Sequence, residues 1–155
     1  MATVSTAREY FEKVISYNLQ QYKAEPTSLP AAFNLSNSLF SMHEWMWHTY
    51  GNALGASLRS ASDFNSHVQS MCPAFKHMRD LANASKHVSL SSPSTQAAHI
   101  TDTEAIESKW DEAVWDVVKW ERGVVVINDG NAKVDFESTA DELHSYWEAM
   151  LGKMS

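Results

Sequence analysis

A long helix is predicted for the segment SLPAAFNLSNSLFSMHEWMWHTYG, which spans residues 28–51. It begins after Ser28 and has Pro30 in its first turn, where proline is tolerated because the first backbone N–H groups make no bonds within the helix. Gly51 and Gly55 bracket the loop of small residues that ends it. One face carries apolar and aromatic residues and one histidine at helical spacing: Leu35, Leu39, Phe40, His43, Met46, Trp47 and Tyr50.

Two further helical stretches flank this segment. Before it, Thr6 and Glu9 fit a capping box, and the helix that follows ends at Pro26. After it, apolar residues recur at helical spacing over residues 62–90, but Pro73 interrupts the pattern. A proline at this point either kinks one helix or begins a second helix, and we favour the second helix. The first helix has its apolar residues on one face: Ala7, Phe11, Val14, Ile15 and Tyr22.

The last third of the chain combines strands with one helix. Residues 124–127 and 134–136 flank an Asp129-Gly130 turn and predict a β-hairpin. Thr139 and Glu142 fit a second capping box, which begins a final helix. Residues 104–122 fit a helix by spacing, yet they are rich in Val and Trp. Because they adjoin a hairpin that needs a third strand for stability, we favour a strand there.

These elements predict a mainly helical α+β fold in one domain of 155 residues. Residues 1–90 are expected to form a bundle of three or four helices. Residues 91–137 are expected to form a short antiparallel β-hairpin or a three-stranded meander, and residues 138–152 the C-terminal helix. A chain of this length buries about 70% of its unfolded surface, so its core does not require disulfides.

The composition indicates a cytoplasmic protein. Hydrophobic residues make up 44% and charged residues 20% of the chain, as in ordinary globular proteins. The lone Cys72 cannot form an internal disulfide, which indicates a reducing compartment and argues against a cysteine zinc site. Residues 1–13 lack the basic and apolar runs of a signal peptide, and no run of about 18 apolar residues predicts a membrane span. We therefore expect no membrane association.

The net charge of −7 is concentrated in the C-terminal part of the chain. Residues 1–101 carry seven Lys/Arg and six Asp/Glu, whereas residues 102–148 carry four Lys/Arg and thirteen Asp/Glu. An acidic body repels phosphate groups, so loose electrostatic binding to nucleic acid is not expected for the chain as a whole. A protein partner is therefore favoured over a nucleic acid.

The segment MCPAFKHMRDLANASKHVSL, residues 71–90, concentrates the side chains with catalytic potential. On a helix, Asp80, Asn83 and His87 share one face, and Arg79 and Lys86 flank that face. An imidazole near a carboxylate suits proton transfer near neutral pH, and a neighbouring cation stabilises a phosphate or a developing negative charge. The candidate catalytic residues are Arg79, Asp80, Asn83, Lys86 and His87.

The same residues have a structural interpretation of equal weight. Asp80 can form a salt bridge with a neighbouring helix, and Asn83 can hydrogen-bond a nearby loop. Lys86 and His87 can complement the negative end of the helix dipole. In this interpretation Asp80, Asn83 and His87 form a buried polar network that fixes how the helices pack.

A metal site is a weaker alternative. Glu44 and His48 are four residues apart on one helical face, and they would approach Asp80 or His87 if the two helices packed together. The spacing used by di-iron proteins is Glu-x-x-His on two helices, whereas this chain has Glu-x-x-x-His once. A histidine- and tryptophan-rich helix is more often a core face whose polar tips find partners, so we expect no metal and no other cofactor.

Residues 79–87, RDLANASKH, resemble the segment R-D-[LI]-A-[ND]-x-x-K-H of uncharacterised small bacterial and phage proteins. In those proteins an upstream helix holds a His-x-x-x-Trp-His-like stretch, which here runs from His43 to His48. A short β-region and a helix with Tyr-Trp follow, here Tyr146-Trp147. The likeness covers most of the chain and favours strands within residues 104–122, but it implies no particular activity.

More distantly, the segment is similar to the helical domains called HEPN. Many of these are metal-independent ribonucleases of toxin, abortive-infection and phage-defence systems, with an active site assembled at a dimer interface. Their motif is an Arg followed by a polar residue and then, four to six residues further on, a His. Arg79 and Asp80 match the start of this motif, but seven residues separate Arg79 from His87, which turns Arg79 about 80° away on an ideal helix. The resemblance implies a homodimer that acts on RNA.

Two functions follow from these patterns. The first is a non-catalytic interaction module of a phage or mobile element, in which the acidic hairpin and the last helix bind a protein partner. The alternative is RNA cleavage through the ribose 2′-hydroxyl, with His87 as general acid or base and Arg79 or Lys86 holding the phosphate. In that case Asp80 and Asn83 orient the reacting groups. We favour the interaction module because His87 departs from the motif and the C-terminal part is acidic.

Overall fold

The computed structural model describes residues 3–86, 103–106, 124–128 and 132–154 and confirms a mainly helical α+β fold. None of the helices in these ranges combines the length and hydrophobicity that crossing a lipid bilayer requires. The described elements, in chain order, are α1 (Ala7–Tyr10 and Ser16–Ala24, joined by the π-helical turn Phe11–Ile15), α2 (Leu29–Tyr50), a 3₁₀ turn (Gly51–Leu54), α3 (Ala61–Met71), α4 (Pro73–Ala84), β1 (Thr103–Ile106), β2 (Val124–Asn128), β3 (Lys133–Asp135) and α5 (Phe136–Lys153).

The π-helical turn in α1 accommodates an apolar pattern that is one residue too long for a regular α-helix. Ala7, Phe11, Ile15 and Leu19 recur every four residues, and in an α-helix each such step rotates the side chain by about 40°. In the π-helical turn the Ser16 N–H bonds to the Phe11 carbonyl five residues earlier, which widens the turn. The wider turn keeps Phe11 and Ile15 on the same buried side.

Thr6 caps α1, but the second bond of the predicted capping box goes to a different residue. The Glu9 N–H donates to Thr6 Oγ1 at 3.2 Å, as predicted. The Glu9 carboxylate instead accepts from the hydroxyl and the N–H of Ser5, at 2.6 and 2.9 Å. These bonds, the one from the hydroxyl foremost, lower the pKa of Glu9 to about 2.

α2 runs through the middle of the helical part and has the predicted boundaries. Ser28 Oγ accepts from the Ala31 N–H at 3.3 Å, and Gly51 ends the helix with a φ of 51°, which glycine adopts without steric cost. Phe40 and Trp47 of the predicted face are half-buried at its edge. The buried positions of α2 are Ala32, Leu35, Ser36, Ser38, Leu39, Met42, His43 and Met46.

Pro73 begins a new helix, as predicted. Cys72 separates α3 from α4 in an extended conformation, which is the conformation that a residue before proline prefers. α3 buries only Phe64 and Val68, whereas seven of the twelve residues of α4 are buried. α3 is therefore attached to the core by far fewer side chains than α4.

The three strands form an antiparallel sheet in the order β1-β2-β3, which is the three-stranded alternative of the prediction. Thr103 lies opposite Ile127, and Asn128 lies opposite Lys133. β1 confirms a strand at residues 104–106, at the start of the ambiguous region. The rest of that region, residues 107–122, and the Asp129-Gly130 turn lie outside the described residues.

α5 begins at Phe136, so the second predicted capping box, which started at Thr139, is wrong. Asp135 is the N-cap, and its carboxylate accepts from the N–H groups of Glu137 and Ser138 at 3.3 and 3.0 Å. Aspartate at the end of β3 satisfies these N–H groups as soon as the strand ends, so the helix starts earlier. The Thr139 hydroxyl lies within the first turn and donates to the Asp135 carbonyl at 2.8 Å.

Trp147 of α5 lies at the centre of the helical core and is completely buried. Its indole N–H donates to the Leu39 carbonyl of α2 at 3.0 Å. Its ring packs against Phe64 of α3 and Phe75 of α4, with centroid distances of 6.3 and 6.1 Å. One side chain therefore connects four helices.

Deletion of Glu12, an exposed residue of the π-helical turn, is expected to leave the fold intact. The spacings from Ala7 through Phe11 and Ile15 to Leu19 then become four, three and four, which suits a regular amphipathic α-helix. We expect the midpoint of thermal unfolding to shift by no more than about 4 °C.

The matched control is deletion of Gln20, an exposed residue in the regular part of α1. This deletion turns the fully buried Tyr22 by about 100° relative to Ile15 and is expected to cost roughly 3 kcal/mol of unfolding free energy. Equal losses from the two deletions would contradict the explanation of the π-helical turn.

Candidate functional site

Arg79 and Asp80 form an ion pair within α4. Asp80 is only 1% exposed, and its Oδ1 accepts from Arg79 Nε and Nη2 at 2.9 and 2.7 Å. The Arg79 side chain keeps 15% of its surface exposed. A buried carboxylate is stable only when it is paired and hydrogen-bonded, so the guanidinium allows Asp80 to lie in the interior.

The contact between these neighbours was not predicted, because adjacent residues of a helix point about 100° apart. The sequence pattern placed Arg79 to one side of the face that carries Asp80. The long arginine side chain nevertheless brings its guanidinium to the carboxylate, with Nη2 at 2.7 Å from Asp80 Oδ1. The length of the arginine side chain therefore allows a contact that the positions of the two residues on the helix do not predict.

Two residues of the predicted face, Asp80 and Asn83, lie in α4. α4 ends at Ala84, and the chain then makes a turn in which the Lys86 N–H bonds to the Asn83 carbonyl at 3.0 Å. Asn83 is half-buried and Lys86 is exposed. His87 lies outside the described residues. The grouping of His87 with Asp80 and Asn83 therefore stays a prediction.

The end of α4 is tied to α2 by Ser85 and Asn37. Ser85 Oγ donates to the Ala82 carbonyl at 2.8 Å and accepts from Asn37 Nδ2 at 3.1 Å. Asn37 Nδ2 also donates to the Phe33 carbonyl, at 2.8 Å. This connection could not be predicted from the sequence, because Asn37 and Ser85 are 48 positions apart.

His43 lies in a hydrogen-bonded chain between α2 and α3. Its Nδ1 is 2.6 Å from the Phe40 carbonyl oxygen, and its Nε2 is 3.3 Å from Asn65 Nδ2. Asn65 Oδ1 accepts from Gln69 Nε2 at 2.8 Å. The rings of Phe40 and Phe75 pack against the imidazole at 4.9 and 5.6 Å. Burial lowers the pKa of His43. Neither its partner Asn65 nor Gln69, the partner of Asn65, was predicted from the sequence.

The three weak metal candidates that the structure describes differ in their exposure to solvent. Glu44 and His48 are exposed on α2, whereas Asp80 is buried against Arg79 in α4. Across residues 3–86, 103–106, 124–128 and 132–154, no three His, Cys, Asp or Glu side chains are grouped as a metal site would need. The fourth candidate, His87, is not among these residues.

Cys72 has the environment of a packing residue. It is 3% exposed, and its Sγ lies 3.8 Å from Glu142 Oε1. Burial raises the pKa of the thiol, which is the opposite of the change that activates a nucleophilic cysteine. Burial also raises the pKa of the nearby Tyr146, to about 12.

No protein-family model, curated protein or solved structure matches this chain. The function is therefore inferred from the residues of the chain itself.

Replacement of Arg79 by methionine is expected to destabilise the protein by roughly 3 kcal/mol in urea unfolding, because it removes the guanidinium that neutralises the buried Asp80. The double variant R79M/D80L leaves no charge of this pair in the interior and should recover most of the loss.

The control for these variants is Arg59→Met, which removes an exposed arginine and is expected to change the stability by less than about 0.5 kcal/mol. A loss in Arg79→Met no larger than in the control would show that the ion pair does not stabilise the core.

Proposed function

We propose that the protein is a non-catalytic interaction module whose α4 holds the helices together and whose acidic C-terminal helix binds a protein partner. The observation that carries this proposal is the ion pair of Arg79 with the buried Asp80. Arg79, one of the two cations that an RNA-cleaving site would use on a phosphate, is engaged by a carboxylate of the interior. Withdrawing it would leave a buried charge, which is strongly unfavourable.

The polar bonds at the end of α4 support a structural role for the segment. Ser85 and Asn37 link the last turn of α4 to α2 at 3.1 Å. A hydrogen-bonded network of this kind fixes one arrangement of two helices, because every alternative leaves polar groups unsatisfied. This agrees with a segment that positions helices.

α5 offers the acidic surface that the partner would bind. Glu142 and Glu148 are exposed on this helix. Asp141 forms an ion pair with Lys23 at 2.9 Å, yet 43% of its side-chain surface stays exposed. Complementary charge orients binding partners and speeds their encounter. The proposed partner is therefore a protein with a basic surface.

The alternative is an HEPN-like metal-independent ribonuclease that uses His87. The Arg79 side chain favours it, because 15% of its surface is accessible to solvent. In this alternative Asp80 positions Arg79 for a phosphate, and His87 transfers the proton. Its predictions differ from those of the interaction module and can be separated in one set of assays.

Charge reversal on α5 tests the proposed binding surface. The variant Glu142→Lys/Glu148→Lys is compared as bait with the native protein and with Glu12→Lys/Glu25→Lys, which makes the same charge change at exposed positions of the N-terminal part. We expect a specific protein to be retained by the native and control baits and reduced at least about tenfold by the α5 variant, since the lost contacts are electrostatic. Equal retention by all three would contradict the assignment of α5.

An RNA-cleavage assay tests the ribonuclease alternative. Native protein, His87→Ala and Arg59→Ala are incubated with single-stranded RNA in the presence of a chelator. We expect no cleavage above background by any of them. Cleavage by the native and Arg59→Ala proteins that falls at least about 100-fold in His87→Ala would replace the interaction module with the ribonuclease.

A further inference from the structure

The hydrogen-bonded chain formed by His43, Asn65 and Gln69 has a fixed direction. A ring nitrogen only 2.6 Å from the Phe40 carbonyl oxygen carries a proton, because two lone pairs would repel each other at that distance. In a neutral imidazole the other nitrogen, Nε2, is then an acceptor, and the Asn65 amide turns its N–H group towards it. Gln69 in turn donates to Asn65 Oδ1. The three side chains are therefore arranged for a neutral ring.

Protonation of His43 reverses the requirements of this chain. The new N–H at Nε2 points at the N–H group of Asn65, so the contact of 3.3 Å becomes repulsive. Rotation of the Asn65 amide, followed by rotation of the Gln69 amide, restores the hydrogen bonds. The positive charge still remains in a site that is only 5% exposed and bordered by two phenylalanine rings. The charge is solvated by water only if the site opens.

The charged groups around His43 do not supply a close counter-ion among the described residues. Glu44, the next residue of α2, acts on the ring electrostatically, but it is exposed to solvent. The imidazole makes a hydrogen bond with the Asn65 amide of α3 and a ring contact with Phe75 of α4, and neither of these groups titrates. The acid form is therefore stabilised mainly by opening the site.

α3 is the element through which the site opens most easily. It buries only two residues, Phe64 and Val68. It also carries Asn65 and Gln69, the two amides of the hydrogen-bonded chain. Displacing this helix exposes the imidazole to water at a smaller loss of buried apolar surface than displacing α2 or α4 would cause.

We propose that the His43–Asn65–Gln69 chain is an acid-sensitive latch, in which protonation of His43 places a buried charge between α2 and α3 and thereby releases α3 from the bundle. Release of α3 withdraws Phe64 from the rings of Trp47 and Trp147. The open form therefore presents an aromatic surface that the closed form conceals. This latch is independent of the proposed function.

The latch loses stability as the pH falls. Burial lowers the pKa of His43 from 6.5, so the open or unfolded chain binds the proton more tightly than the closed form. The closed form, in which α3 is packed on the bundle, keeps its full stability above pH 6.5 and becomes less stable as the pH falls below that value. A single proton changes the closing constant by at most about tenfold per pH unit.

Hydrogen exchange in the native full chain tests the latch. Amide protection in α3 and α1 is measured at pH 7.5 and pH 5.5 and corrected for the intrinsic exchange rates. We expect protection in α3 to fall at least about threefold more than in α1 on acidification. His144, whose pKa burial also lowers, lies in α5 against Phe11 of α1, so the comparison with α1 removes its contribution. Equal changes in the two helices would overturn the proposal.

The variant Asn65→Asp reverses the predicted response. Its carboxylate accepts a hydrogen bond from a protonated Nε2, so protection of α3 is expected to be kept or increased at pH 5.5. The His43 NMR signal should then titrate at a higher pH than in the native protein. Ser66→Asp adds the same charge at an exposed position of α3 and should lose protection on acidification as the native protein does. An Asn65→Asp protein that loses protection like the native one would also overturn the latch, and the native measurement stands if this variant does not fold.

Discussion

Trp147 places one indole ring in contact with three helices that come earlier in the chain. Its N–H group needs an acceptor in the core, and the Leu39 carbonyl supplies one at 3.0 Å in the middle of α2. This bond fixes the depth and the rotation of α5 against α2. The same ring then packs against Phe64 and Phe75, so the positions of α3 and α4 depend on it. The sheet is tied in as well, because α5 starts directly from β3 at Asp135.

The packing of α4 explains why a segment rich in polar residues has a structural character. More than half of its residues are buried, so a carboxylate on this helix has little chance of reaching solvent. Asp80 is neutralised by the adjacent Arg79, and the end of the helix is joined to α2 through Ser85. The same close packing makes His43 a buried titratable group between α2 and α4. Of the candidate catalytic residues, Arg79 and Asp80 are paired within α4, and the bond from α4 to α2 is made by Ser85, which is not one of them.

The helices were predictable because their apolar residues repeat at helical spacing and their ends carry strong local markers. Ser28, Gly51 and Pro73 each act within their own turn, and all three mark the boundaries found in the structure. The start of α5 was missed because Thr139 also has the sequence of a cap, and only the end of β3 favours Asp135. The π-helical turn was not predicted, because the predicted face of α1 (Ala7, Phe11, Val14, Ile15 and Tyr22) also fits a regular helix.

The candidate site was less predictable than the fold, because its contacts depend on side-chain length and on residues far apart in the chain. Arg79 reaches Asp80 through its long side chain, which helical phase does not describe. Asn65 meets His43 from another helix, 22 positions later. Of the predicted catalytic residues, Arg79 and Asp80 form an ion pair. Asn83 is half-buried and Lys86 is exposed, whereas His87 is outside the described residues.

The central claim, that the helices depend on Trp147, is tested most directly by the unfolding free energy of Trp147→Phe in urea. The variant loses the bond to the Leu39 carbonyl and part of the core volume, so we expect a loss of roughly 2 kcal/mol. Trp45→Phe, at a half-buried ring stacked on Tyr10, should lose less than about 1 kcal/mol. An equal or smaller loss at Trp147 than at Trp45 would contradict the claim.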